Sequence, residues 1–315
     1  MDIVSLAVIK LSLVALLGFY FYKKAIINEE TLRFLTFFVI NLAIPFLIFT
    51  QLVENSEIVL GYSLWFFIIL SIGLFAAGCF LGFIACFWRG REFKREFISL
   101  ISFQNAGYLP ISIAFFLFPQ GLREKFLVFT FLNLLGFNII MWSVGSFFIF
   151  KKKGEKFNLK SIFTPPITGT IIALLLVHTK TTGFIPSIIV EPIKMIGEVS
   201  FVLSAIILGS WLAKIKLKGI SKKLFFVGEA SFLKLIILPL LFLIGVIRLE
   251  IFSLLGLFIV LQAAMPSAAS LPIIANMRGA DSEFVSQGVF LTHLLSIVTI
   301  PIWLGLYLKL SGFSF

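Results

Sequence analysis

The sequence predicts an all-α membrane protein of ten transmembrane helices, built as two inverted five-helix repeats with an interrupted helix in each. Three observations predict this class. The composition is too apolar for a soluble core, Lys and Arg concentrate on one set of loops, and two breaker-rich polar stretches occupy matching places in the two halves.

Soluble domains carry about 25% charged residues. This chain carries 13%, with 60% hydrophobic residues, 40 Phe among its 315 positions and a mean hydropathy of +1.10. A soluble fold cannot cover that much apolar surface, so the excess faces lipid. The first apolar run starts at Ile3, with almost no basic region before it and no A-x-A-like site after it. It reads as a mature membrane helix rather than a cleaved signal peptide. Cys79 and Cys86 lie two turns apart along one apolar run. That spacing is too long for a disulfide and supplies too few ligands for a metal, so they read as small buried hydrophobes.

A membrane helix needs about 20 mostly apolar residues. Ten runs qualify: 3–22, 32–52, 59–87, 97–118, 126–150, 162–178, 186–213, 224–247, 251–275 and 284–308. The third is long enough to predict a strong tilt. The sixth is the shortest and opens on Pro165 and Pro166. Proline is tolerated there because the first amide of a helix has no internal partner.

Orientation follows from the basic residues. The loops around Lys23, Arg89, Lys151, Lys214 and Arg278 hold eighteen of the 26 Lys and Arg. The opposite loops hold six: Arg123, Lys125, Lys180, Lys194, Arg248 and Lys309. The basic side is cytoplasmic, which requires an even number of helices with both termini outside, in the plasma membrane. The net charge of +11 is thus a topology signal. No basic stretch interleaved with exposed aromatics points to nucleic acid.

Residues 1–150 form the first repeat, 151–161 a polar cytoplasmic linker, and 162–315 the second repeat. Five helices per half is an odd number, so the second half enters from the opposite side. That is the inverted plan of many secondary transporters. A weak internal echo at an offset of about 159 lays Asn41 on Ser200, Pro45 on Ser204 and Gly107 on Pro266.

The fourth helix contains Gln104-Asn105-Ala106-Gly107-Tyr108-Leu109-Pro110, and the ninth runs from Gln262 through Pro266, Ser267 and Ser270 to Pro272. Proline removes an amide and clashes with the preceding turn, and glycine permits backbone that other residues avoid. Non-helical backbone at membrane depth persists only inside protein or beside a water-filled cavity. A broken helix exposes free amides with partial positive charge, which suit carboxylate or phosphate oxygens. Gln104, Asn105, Tyr108, Gln262, Ser267 and Ser270 would add uncharged hydrogen bonds. The competing reading is a pair of ordinary proline kinks packed through small residues.

Residues Asn105 to Ile113 resemble the fourth-helix motif of the auxin efflux carrier family, which includes the plant PIN carriers and bacterial permeases for small dicarboxylates. Ala263 to Ala275 is similar to that family's ninth helix, with its Ala-Ala-x-Pro core and a second proline six residues on. Asn41-Leu42-Ala43-Ile44-Pro45 resembles its second-helix Asn-x-x-x-Pro. The resemblance spans the whole chain. It implies a scaffold of helices 1, 2, 6 and 7, a mobile transport domain of helices 3–5 and 8–10, crossing of the broken helices near Asn105 and Pro266, and a homodimer formed through the scaffold. Two departures count against auxin itself as cargo. Gln104 stands where the plant carriers place a proline, and 59–87 lacks the carboxylate and lysine of their third helix.

Ionisable residues at membrane depth are functional candidates by default. Lys234 in helix 8 lies in the implied transport domain and is the better anion partner; its other reading is a snorkelling or structurally paired lysine. Lys10 lies on the implied scaffold, and Glu229 is poorly spaced to pair with Lys234. His293 and Glu198 are the candidates for ion coupling. Asn133 and Asn138 read as interhelical hydrogen-bond glue, with Asn133 also a candidate for the site.

The chain has two histidines and no H-E-x-x-H, Gly-x-Ser-x-Gly or Walker A sequence, so neither an enzyme nor a built-in ATP drive is expected. No cofactor or metal is called for. The expected function is secondary active or facilitative transport of a small organic anion, such as a dicarboxylate or an auxin-like acid, by an elevator-type mechanism. A sodium-coupled symporter of the bile-acid-transporter type is the alternative; it would need more acidic or polar ion ligands at the crossing. The expected partners are the anion, the lipid bilayer, a coupling proton or sodium ion, and a second copy of the chain.

Overall fold

At membrane depth no water satisfies backbone amides, so apolar runs of this length fold as helices. The computed structural model describes residues 3–87, 94–150, 162–214 and 220–314. The linker expected at 151–161 lies outside them. The helices are α1 (Ile3–Lys23), α2 (Glu29–Phe38), α3 (Ile44–Glu54), α4 (Ser56–Leu60), α5 (Leu64–Phe87), α6 (Lys94–Ser102), α7 (Tyr108–Leu117) and α8 (Gln120–Ile139). They continue with α9 (Gly145–Phe150), α10 (Pro165–His178), α11 (Ser187–Lys214), α12 (Ile220–Phe232), α13 (Leu238–Arg248), α14 (Leu254–Ala264), α15 (Leu271–Met277) and α16 (Ser282–Ser311). Among the described residues there is no strand, only one isolated antiparallel bridge.

Among the described residues seven helices are long and apolar enough to cross a membrane, counting α2–α3 as one continuous helix over Glu29–Glu54. Tyr108–Leu117, Pro165–His178 and Leu254–Ala264 are shorter apolar helices. The third run is not one long helix. It divides at Gly61 into α4 and α5, and the 24 residues of α5 span about 36 Å at 1.5 Å per residue, close to a bilayer's thickness.

Among the described residues three π-helical turns interrupt the long helices, at Val39–Ala43, Ile140–Val144 and Leu233–Ile237. Two of them precede a proline in the first turn of the next helix, Pro45 and Pro239. A proline has no amide for the carbonyl four residues earlier. The extra residue of the π turn absorbs that mismatch. For Pro239 the orphaned carbonyl is that of Leu235, and the Trp303 indole Nε1 donates to it at 2.7 Å. For Pro45 it is the carbonyl of Asn41.

The helices pack in two groups. α1, α2–α3, α10 and α11 pack on one another; α5, α6, α8 and α12 to α16 form the second group; α7, α8 and α16 meet the first group across the boundary. The closest approach in the first group is between α1 and α11, where a Cβ at Gly18 would overlap Ile206 and one at Gly209 would overlap Ala15. There Ser210 Oγ donates to the Gly18 carbonyl at 3.0 Å. Two ion pairs join α11 to the opposite ends of α2–α3: Lys214 with Glu29 at 3.1 Å and Lys194 with Glu54 at 2.8 Å.

Candidate functional site

α6 ends at Ser102 and α7 begins at Tyr108; α14 ends at Ala264 and α15 begins at Leu271. The second break has a direct cause. Pro266 disfavours helical backbone in the residue before it, and Met265 is extended at φ −62°, ψ 140°. Pro110 and Pro272 sit in the first turns of α7 and α15, where a missing amide costs no internal bond. Gly107 caps α7.

The two extended stretches lie antiparallel and pair. The Asn105 amide donates to the Pro266 carbonyl at 2.8 Å, and the Ala268 amide donates to the Phe103 carbonyl at 2.9 Å. Gln104 and Ser267 face one another between these bonds. Ser267 Oγ donates to the Leu100 carbonyl near the end of α6 at 2.6 Å, and its amide reaches Thr292 Oγ1 at 3.3 Å. Each break thereby satisfies backbone groups that the other exposes.

A cavity of about 230 Å³ opens beside the pairing. Its lining includes Gln104, Asn105, Gly107, Tyr108 and Ser270 from the breaks, and Asn41, Asn138, Trp142, Thr164 and Pro165 from the helices opposite. Among the described residues no charged side chain lines it. Gln104 Nε2 and Thr164 Oγ1 are buried and make no hydrogen bond. The amides of Gly107 and Tyr108 find no partner among the described residues either. Asn105 is held from two sides. Its Oδ1 accepts from the Leu109 amide at 3.4 Å, and its Nδ2 lies 3.2 Å from His293 Nε2.

The remaining expected residues lie off the cavity. Pro110, Gln262, Pro266, Ser267, Asn133, Lys234, His293 and Glu198 do not line it. Gln262 is fully buried with both polar atoms unpaired. Asn133 accepts from Ser71 Oγ at its backbone carbonyl (2.8 Å) and at Oδ1 (2.9 Å), which joins α8 to α5. Lys234 is buried in a π turn with Nζ unpaired, and that turn packs against α6 and α14, the first arms of both broken helices. Glu198 is exposed on α11.

The family model described as "Membrane transport protein" matches residues 3–158 and 149–304 of this chain. The chain belongs to the auxin efflux carrier-like family of membrane transport proteins. It is a multi-pass membrane protein of a transporter family rather than an enzyme family. The chain is similar to an uncharacterized transporter of Methanocaldococcus jannaschii, at 24% identity over 96% of this chain and 97% of that protein. It is also similar to an uncharacterized transporter of Methanothermobacter thermautotrophicus, at 26% identity over 94% and 96%.

In this transporter the cavity wall opposite the breaks was harder to find from sequence. Asn41 carries a signal, the Asn-x-x-x-Pro spacing, and Pro45 explains it by freeing the Asn41 carbonyl. Asn138 reads as packing glue on sequence alone. Trp142 and Thr164 carry no local signal, because only the packing of α10 against α8 puts them on one cavity.

Proposed function

We propose that this transporter carries a small organic anion, of dicarboxylate or auxin-like acid type, across the plasma membrane. The carrying observation is a surplus of donors around a cavity that no charged side chain among the described residues lines: Gln104 Nε2, Thr164 Oγ1 and the amides of Gly107 and Tyr108. Unpaired buried donors are costly unless a ligand meets them, and an anionic acceptor gains most from them. At about 230 Å³ the cavity lies below the roughly 300–1,000 Å³ typical of drug-sized ligands, which suits a small metabolite.

Our reading of the architecture is ten spans in two inverted repeats, with α6–α7 and α14–α15 as two-armed spans. The division into two packed groups supports an elevator in which the crossing travels against a scaffold of α1, α2–α3, α10 and α11. The glycine contact and the ion pairs at both ends of α2–α3 support a scaffold that moves as one piece. Lys10 and Glu198 are exposed on that scaffold at positions inside apolar helices. Charges at such depth call for cover, which supports a homodimer through this face.

Counterflow in proteoliposomes tests the function. Dicarboxylates and indole acids should exchange, and the corresponding uncharged amides should not. Equal exchange of acids and amides would remove the anion reading.

A further inference from the structure

Three cavities share walls in series. The cavity at the crossing shares Ile40, Tyr108, Trp142, Ala269 and Ser270 with a constriction of about 40 Å³. The constriction shares Thr36, Ile40, Trp211 and Ile273 with a wider groove of about 420 Å³. That groove is lined by Glu29, Arg33 and Lys214 at the ends of α2 and α11. One face of α2 lines the whole path, because Glu29, Arg33, Thr36 and Ile40 recur at helical spacing. From Arg33 to Asn41 this track rises about 12 Å, at 1.5 Å per residue.

The charges at the mouth are not equivalent. Lys214 is engaged: its ammonium lies 3.1 Å from Glu29 and 5.1 Å from the centre of the Trp211 ring. Glu29 is thereby neutralised across the mouth. Arg33 is exposed, lines the groove and has no carboxylate partner among the described residues. A free guanidinium at the head of a path walled by Phe37, Trp211 and Trp142 sets up a positive field that low-dielectric walls focus inward.

We propose that this groove is the anion-selecting mouth of the transporter, with Arg33 as the capture residue and the constriction of Tyr108, Trp142 and Trp211 as the point of closure. The proposal rests on the anion reading of the crossing and adds its access route and selectivity residue. The planar fork of Arg33 suits a carboxylate in transit. Its exposure keeps the interaction weak enough for release toward the neutral donors at the crossing.

The test needs no substrate. In a background of Cys79→Ala and Cys86→Ala, Ser270→Cys places a thiol where constriction and cavity meet. The anionic reagent MTSES and the cationic reagent MTSET are applied at low salt to inside-out vesicles, and each rate is divided by its rate with free 2-mercaptoethanol. The expected normalised ratio favours MTSES by about tenfold. Arg33→Gln should bring it close to one, Arg33→Lys should keep most of it, and 0.5 M salt should abolish it. Thr36→Cys, nearer the mouth, gives the same reading if Ser270→Cys does not fold. A parent ratio of one or below, or a ratio indifferent to Arg33→Gln, overturns the mouth. An MTSES preference beside failed counterflow of every acid would instead remove the cargo assignment and leave the mouth standing.

Discussion

Asn105 presents its Nδ2 to His293 Nε2 at 3.2 Å, while His293 Nδ1 lies 2.8 Å from the Val289 carbonyl. A carbonyl only accepts, so Nδ1 carries the ring proton and Nε2 accepts from Asn105. His293 therefore fixes which way the Asn105 amide points without touching the cavity at the crossing. We predict that His293→Phe weakens acid binding by about 1 kcal/mol, roughly fivefold, by freeing that amide. His293→Gln, which still offers an acceptor, should bind nearly as the parent. Calorimetry on purified protein separates the two; equal affinity in both variants would make His293 a packing residue.

Pro266→Ala and Asn105→Ala probe the crossing differently. In Pro266→Ala the carbonyl that accepts from the Asn105 amide is still present, so no pairing group is deleted. Met265, however, is released to helical backbone and the break closes up. Asn105→Ala leaves the break and deletes a polar ligand. Each should weaken anion binding by about 1–3 kcal/mol. Unchanged isotherms for both would reduce the crossing to a kink.

Trp303 and Pro239 form a linked pair through the Leu235 carbonyl. Trp303→Phe should cost about 1–3 kcal/mol by leaving that carbonyl unpaired in an apolar setting. Pro239→Ala supplies the missing amide, so the double variant should recover part of the loss. Thermal unfolding of the four proteins gives the coupling. Strictly additive effects would refute the carbonyl account.

Lys234 holds an unpaired Nζ in the core beside α6 and α14. A buried amine without a hydrogen-bond partner is costly, and an ionisable side chain at membrane depth is a functional candidate. Lys234→Met should raise the melting temperature and remove counterflow. A variant that is more stable and fully active would return Lys234 to a structural role.

The class of this protein was legible because composition and breakers act locally. An excess of Phe, Leu and Ile needs lipid whatever the fold, and Pro266 bends the chain at Met265 whatever surrounds it. The same locality makes Gln104, Asn105, Tyr108, Gln262, Ser267 and Ser270 readable as one polar constellation; Gln104, Asn105, Tyr108 and Ser270 line one cavity, and Gln262 and Ser267 do not. The run over 59–87 reads as one span, and the structure begins that span at Leu64, after a turn at Gly61.

What tertiary structure decided is the employment of each polar group. Sequence alone cannot tell that Ser267 spends its hydroxyl on the Leu100 carbonyl while Gln104, opposite it, leaves its amide nitrogen unpaired. It cannot put Asn41, Thr164 and Trp142 across from the breaks, nor set Arg33 at the head of a path whose far wall is Trp211. The physical reason is range. Helix formation and helix breaking depend on neighbours within a turn or two. Whether a donor is satisfied depends on which helix face arrives opposite it, and that is settled only when α1, α2–α3, α10 and α11 pack against the helices that carry the crossing.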